Sequence, residues 1–237
     1  TASDVSAEQL DYFGKATVAN ESESNAEVTR ESDVVILAVK PDHVSEVLDS
    51  IRDVFRKQLL ISIAAGVTIA KLEGGLPAGS RVIRVMPNTP ALVGCGAAAF
   101  ALGRTAGPKD AQTAEAILNA VGISFQVPED QLDAVTGLSG SGPAYIYHVI
   151  EALARGGAEL GIDERVALKL AAQTAQGAAR MVLETGKSPR ELIDMVTSPG
   201  GTTVEGMAVL VEKQIHIGLV AAVKAAAKRS RELGKKK

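Results

Sequence analysis

The sequence predicts two successive folds, an α/β unit over residues 1–128 and an all-α unit over residues 129–237. Three observations carry this. Short, continuous apolar runs alternate with helical periodicity in the first part, and the clearest, Val34 to Val39, is bounded by Asp33 and by Lys40-Pro41. Strands covered on both faces read this way and belong to parallel sheets. Beyond Pro128 such runs stop, and Ala, Gly and Leu at helical spacing take over. Finally, hydrophobic residues make up 46% of the 237 but aromatics only 3%, with no Trp, so the core is aliphatic and its backbones approach closely.

Ser6 to Phe13 reads as a short helix, opened by a Ser6/Gln9 capping box and stopped by Gly14. After the Val34–Val39 strand, Val44, Val47, Leu48, Ile51 and Phe55 repeat at helical spacing. Leu59 to Ile63 is a second strand, closed by Ala64-Ala65-Gly66. A short helix near Thr68–Glu73 leads to a third strand at Arg81–Met86 and a fourth at Gly96–Ala101. A helix at Ala111–Val121 and a strand at Ile123–Val127 complete the part. Alternation of this kind implies right-handed βαβ crossovers in an open sheet. Such sheets bind ligands beyond the carboxyl ends of their strands. Three loops leave those ends: Val39-Lys40-Pro41, Ala64-Ala65-Gly66 and Met86 to Pro90. Their small or proline-fixed residues leave room for a planar ligand, against the plainer alternative of ordinary βα turns.

In the helical part, Ser139-Gly140-Ser141-Gly142-Pro143 opens a long helix with Pro143 in its first turn, and Gly161 stops it. Asp163 caps the next, which ends near Gly186. Ser188-Pro189-Arg190-Glu191 is another capping box. A helix beginning at Thr202 and an Ala/Lys helix from about Ile217 to Leu233 follow, and Lys235-Lys236-Lys237 form a solvated tail. Faces of small residues either pack internally or pair with another subunit, and self-association is expected.

Several function classes fall away. A net charge of −3, with no basic stripe among aromatics, argues against nucleic acid. Cys95 is alone, which removes a disulfide or cysteine metal site within one chain and fits a reducing, cytoplasmic compartment. His43, His148 and His216 show no ligand spacing, so no metal is expected. The longest nearly apolar run, Leu59 to Ala70, is too short for a bilayer, which takes about 20 residues. The sequence given opens on Thr1 rather than Met, so targeting signals are outside its reach.

One stretch carries chemistry. In Thr197-Ser198-Pro199-Gly200-Gly201-Thr202-Thr203 the proline and glycines forbid regular structure. Thr202 then acts as N-cap, with Glu205 completing a capping box. A glycine turn feeding a helix leaves backbone N–H groups aimed one way, beside two threonine hydroxyls, which suits a carboxylate. Alone, such a stretch more often means a turn and a cap; the company it keeps reverses that.

With these segments in view, the chain resembles the pyrroline-5-carboxylate reductases over essentially its whole length. The matching segments are Asp33–Pro41, Ile63–Gly66, Arg81–Pro90, Asp133–Tyr145 and, most specific, Asp194–Thr203. The resemblance implies an N-terminal Rossmann-type domain for NADPH or NADH and a C-terminal helical domain that interlocks with a second subunit. Dimers, in some cases joined into rings, would build each active site between two chains. The reaction implied is hydride transfer from the nicotinamide to the C=N carbon of 1-pyrroline-5-carboxylate, giving L-proline. Carried over by motif, Ala38, Val39, Lys40 and Pro41 line the cofactor, Asn25 lies near its adenosine end, and Ile63, Ala64 and Ala65 run toward the nicotinamide. Asp4, after the family's second strand, reads the ribose. Asn88 faces the reacting centre. Ser198, Gly200, Gly201, Thr202 and Thr203 hold the substrate carboxylate, and Thr203 is the catalytic candidate, hydrogen-bonding the ring nitrogen. A threonine hydroxyl or water would relay the proton. Tyr145 and Tyr147 are assigned to helix packing and Cys95 to the core.

The family's first strand and Gly-x-Gly-x-x-Gly loop have no counterpart in the sequence given, whose first glycine, Gly14, follows a helix. Losing a central strand would expose the Val34–Val39 run, so residues upstream of Thr1 are expected to supply both. Two alternatives compete. β-Hydroxyacid dehydrogenases share the plan but use a lysine on the first long helix of the second domain, and Tyr145–Glu159 contains none. A non-catalytic oligomeric remnant would fit the missing loop but not the intact turn motifs.

Overall fold

The computed structural model describes residues 1–235; the Lys236-Lys237 end of the expected tail lies outside the described residues. Contacts divide the chain into two units, Thr1–Gly140 with Ala226–Lys237, and Ser141–Ala225.

The first unit begins with α1 (Ala7–Thr17), where the Ser6 hydroxyl accepts from the Gln9 N–H. The Ser6 N–H turns back to Asp4 Oδ1 at 2.8 Å, so only half of the expected box forms. Gly14 is not the stop. A glycine ends a helix by turning left-handed, and here Val18 does so (φ 58°), donating its N–H to Gly14 O. The Glu21 side chain fills the place a Cβ on Gly14 would take. Next come α2 (Asn25–Arg30), β1 (Val34–Leu37), α3 (Val44–Ile51), β2 (Leu59–Ser62), α4 (Ile69–Gly74), β3 (Arg81–Met86), β4 (Gly96–Leu102), α5 (Pro108–Asn119), β5 (Gly122–Gln126) and the one-turn α6 (Leu132–Val135). Helix α2 has no counterpart among the expected elements, although Ser24 and Glu27 carry capping-box spacing, and the Ser24 side chain accepts from the Glu27 N–H.

The strands form one sheet in the order β1-β2-β3-β4-β5. β1, β2 and β3 are parallel, with Val34 opposite Leu59 and Leu59 opposite Arg81. β4 runs antiparallel to β3, and β5 is parallel to β4. The βαβ crossovers expected from the alternation therefore do not extend to the β3–β4 connection. Residues 87–95 are too few for a crossover, which needs about a dozen or more, so the chain must reverse. β1 is an edge strand, and Ile36 on it is half exposed.

Side chains alternate across the sheet with period two. Leu60 and Val82 meet Leu48, Ile51, Phe55 and Leu72 on one face. Leu59, Ile61, Ile83 and Val85 meet Phe100, Ala114 and Leu118 on the other. Helices thus cover both faces, the layering of a Rossmann-type fold. Leu132, fully buried with Ile69, Ala99 and Ala101, docks α6 beside the sheet. The buried Arg84 of β3 pairs with Glu129 Oε1 at 3.0 Å, and the same oxygen accepts the Ile69 N–H at 2.7 Å. A buried guanidinium needs such a partner, and this one also serves the first turn of α4.

The second unit is helical: α7 (Gly142–Glu159), α8 (Glu164–Thr185), α9 (Pro189–Val196), α10 (Thr202–Glu212) and the first half of α11 (Ile215–Lys235). Pro143 lies in the first turn of α7, and Asp163 caps α8 by accepting from the Arg165 and Val166 N–H groups. The Ser188/Glu191 capping box on α9 forms in both halves. α7 packs on α8, yet large apolar side chains stay exposed; Ile146 and Leu153 of α7 and Leu160 just beyond it, seven residues apart, are 52%, 53% and 88% exposed. Among the described residues no single helix is long and apolar enough to cross a membrane; α10 and α11 pass only as a pair bent by 50°.

Candidate active site

The carboxyl ends of β1, β2 and β3 lie on one side of the sheet because the strands are parallel. The loop after β1 carries exposed Ala38 and Lys40, half-buried Val39 and Pro41. Pro41 opens a 3-10 turn, Pro41–His43, in which the His43 N–H donates to Lys40 O at 3.0 Å. After β2, the Ile63 N–H reaches Leu37 O at 3.1 Å and holds the first two loops together. Ala64 is buried, its N–H on Ser62 Oγ, whereas Ala65 is exposed and Gly66 is left-handed at φ 74°, a conformation that favours glycine. Exposed Ala38 and Ala65 and left-handed Gly66 leave open space at these two loops, with Lys40 exposed beside them, a lining that suits a dinucleotide.

Asn25 and Asp4 also have defined surroundings. Ala2 makes a parallel bridge to Glu21, so the first residues end strand-like beside this segment. Ser3 Oγ donates to Asn25 Oδ1 at 2.7 Å, and Asn25 Nδ2 donates to Ser50 Oγ at 3.1 Å. Asp4 is exposed, one oxygen accepting from Ser6, the other open.

Asn88, in the loop after β3, is half-buried and engaged at both ends. Its Oδ1 accepts the Ala97 N–H at 2.9 Å, and its Nδ2 donates to Ser139 O at 3.1 Å. Ser139 belongs to a π-helical turn, Thr136–Gly140, which follows α6. Asp133 of α6 accepts from the buried Ser230 of α11 at 2.6 Å. Sequence reasoning gave no role to Asp133 or Ser230, which lie almost a hundred residues apart with no shared motif.

In the helical unit, the Thr197–Thr203 stretch joins α9 to α10. Gly200 is left-handed (φ 68°), and the Gly201 N–H closes the turn on Ser198 O at 3.0 Å. Gly201, not Thr202, is the N-cap; Thr202 is the first helical residue and its side chain makes no cap. The left-handed Gly200 completes the turn one residue early, and the extended Gly201 takes the capping place. Ser198 Oγ lies 2.5 Å from where a Cβ on Gly201 would stand, so a larger residue there would displace the Ser198 hydroxyl. The first N–H groups of α10, from Thr202 and Thr203, have no intrahelical acceptor. With exposed Ser198 and Thr202 and half-buried Thr203, they form a small cradle of donors.

Three other assignments come out differently from each other. Tyr145 packs α7 against α11, its hydroxyl 3.5 Å from Ala222 O. Tyr147 does not pack: it is 60% exposed and lines a groove of about 860 Å³ along α7 and α8, with Glu151, Ala154, Arg155 and Leu168. Cys95 is exposed rather than in the core, because the 3-10 turn Thr89–Val93 ends at left-handed Gly94 and pushes the next residue outward. Among the described residues no three His, Cys, Asp or Glu side chains converge on a metal-sized site.

Comparison with known proteins bears on these features. Residues 129–233 match the family described as pyrroline-5-carboxylate reductase dimerisation, and residues 1–66 match that described as NADP oxidoreductase, coenzyme F420-dependent. A pyrroline-5-carboxylate reductase of Methanosarcina acetivorans is 52% identical over 216 residues, 91% of this chain and 80% of that one. The chain belongs to the pyrroline-5-carboxylate reductase family. Solved reductases of that family agree in shape. The Coxiella burnetii structure superposes with a TM-score of 0.93 at 38% identity, covering 98% of this chain and 87% of its own. The Plasmodium falciparum structure, which has NADP bound, gives 0.86 at 34% identity, covering 98% and 86%.

Proposed function

We propose that the protein reduces 1-pyrroline-5-carboxylate to L-proline with NADPH or NADH, the last step of proline biosynthesis. Membership of the family supports the reaction, and the observation that carries the site is the Gly200-Gly201 turn opening α10 with Ser198, Thr202 and Thr203 around it. The N–H groups at the start of α10 and these hydroxyls hold the substrate carboxylate, each charged hydrogen bond contributing about 1.5–3 kcal/mol. Thr203 bonds the ring nitrogen and, directly or through water, passes it the proton. Asp4, Asn25, Ala38, Val39, Lys40, Pro41, Ile63, Ala64 and Ala65 hold the dinucleotide, which when bound supplies the hydride. A protonated imine is already electrophilic, so the chain's own contribution is chiefly placement. Asn88 lies at the same end of the sheet, but its engaged amide favours a supporting task over direct substrate contact.

The functional boundary is placed at Pro128, with residues 1–128 serving the cofactor and 129–237 serving substrate and association, in line with the dimerisation match beginning at Glu129. The exposed apolar residues of α7 and α8 support a homodimer, in which the substrate turn comes from one subunit and the cofactor side from the other. A ring of dimers and a cytoplasmic location complete the reading; neither nucleic acid nor membrane is a partner. Oxidation of NADPH or NADH on adding pyrroline-5-carboxylate tests it. A protein that binds the cofactor yet leaves it unoxidised would end it in favour of a non-catalytic form.

A further inference from the structure

We propose that Asn88 is a positioning residue: its amide straps the π-helical turn Thr136–Gly140 to the carboxyl end of β3 and so sets where the chain leaves the cofactor-binding unit. This rests on the reductase reading above and deepens it.

Asn88 follows β3 by two residues and has a half-buried side chain. A ligand-binding asparagine keeps its amide free to face the ligand. Here the oxygen is used by the Ala97 N–H at the start of β4, and the nitrogen by Ser139 O. Both partners are backbone, so the amide ties the paired ends of β3 and β4 to a third piece of chain, the Ser139 turn, that the sheet ladder does not reach. In a π turn, bonds run from i to i+5, so the spiral is widened and its geometry depends on outside support. Such support is visible at a second point. A Cβ on Gly140 would lie 2.5 Å from Met86 Cε, so the last residue of β3 presses directly on the end of the turn. Gly140 is also the last residue of the first unit, and the chain enters α7 at Gly142. The return crossing, at Ala225–Ala226, is tied to the same piece of structure, since Ser230 donates to Asp133 one turn earlier. The segment Leu132–Gly140 therefore anchors both crossings within the first unit, and Asn88 is the side chain that joins it to the strand end where the nicotinamide would be read. Hydride transfer is sensitive to placement: an error of about 1 Å costs on the order of 100-fold.

Asn88→Asp keeps an acceptor for Ala97 and sets a carboxylate against Ser139 O; Asn88→Ser removes both bonds without adding charge. The intact protein and both variants are assayed for kcat, for KM toward pyrroline-5-carboxylate, for cofactor Kd, and for the primary isotope effect with the cofactor deuterated at nicotinamide C4. In both variants kcat is expected to fall roughly 10- to 100-fold, with KM and cofactor Kd within about threefold and the isotope effect increased as hydride transfer becomes limiting. A rise in KM at unchanged kcat would make Asn88 a substrate ligand and overturn the proposal. So would a loss of kcat at constant isotope effect, which reports only fewer folded molecules. Inactivity of the unmodified protein would instead remove the reductase reading itself.

Discussion

Thr203 is the side chain to which the proposed mechanism gives the proton relay. Its hydroxyl stands half-buried on the second residue of α10, beside N–H groups that have no acceptor inside the helix. Thr203→Ala is expected to raise KM for pyrroline-5-carboxylate roughly 10- to 100-fold, the equivalent of one hydrogen bond to a charged group, while cofactor affinity measured by fluorescence titration stays unchanged. Equal loss of both would contradict the assignment. The neighbouring Thr202 teaches a different lesson. Thr202 stands three residues before Glu205, the spacing of a capping box, so the sequence points to Thr202. The cap goes to Gly201 because Gly200 turns left-handed first, and residue type alone does not say which of two adjacent glycines will do so. The donors were legible; their exact register was not.

Among the elements, what could be read followed from how local the cause was. β3 matches its expected bounds, Arg81 to Met86, because its strand-favouring Val82, Ile83 and Val85, closed by Pro87, mark it locally. The Ser188/Glu191 cap is likewise a four-residue signature and forms as expected, with the Ser188 N–H on Glu191 Oε2 at 2.8 Å. The Ser188 hydroxyl and then its N–H hold the Glu191 carboxyl below the usual carboxylate range. A lowered folded-state value stabilises above the unfolded value of about 4.3 and is lost as pH falls through the folded one. Ser188→Ala should therefore lower Tm by a constant amount above about pH 5. The difference should shrink in more acidic buffer without vanishing, since Ser188 Oγ also accepts the Glu191 N–H. A Tm difference independent of pH would show that the carboxylate plays no part. By contrast, the reversal of β4 depends on loop length against crossover length, and the exposure of Cys95 and Tyr147 depends on which neighbours arrive. Those are tertiary outcomes, and no short pattern encodes them. The Asp133–Ser230 contact belongs with them.

The molecule as a whole contrasts a well-filled sheet with sparsely covered helices. Phe55, Phe100, Leu60 and Ile83 are fully buried around the strands. In α7, α9 and α10 no described residue is buried, and in α8 only Ala167 and Ala171 are. Leu153→Glu, which sets a carboxylate in the middle of the exposed seam of α7, is expected to give a monomer in sedimentation velocity with most activity lost and the cofactor still bound. A fully active dimer would place the contact surface elsewhere. The bareness of these helices also has a practical side. For the homodimer proposed above, robustness depends on how much protein is in the tube: the melting temperature should climb with protein concentration, and specific activity should sag on dilution into the nanomolar range. Storage and assay dilution then become variables of the enzyme rather than of the bench.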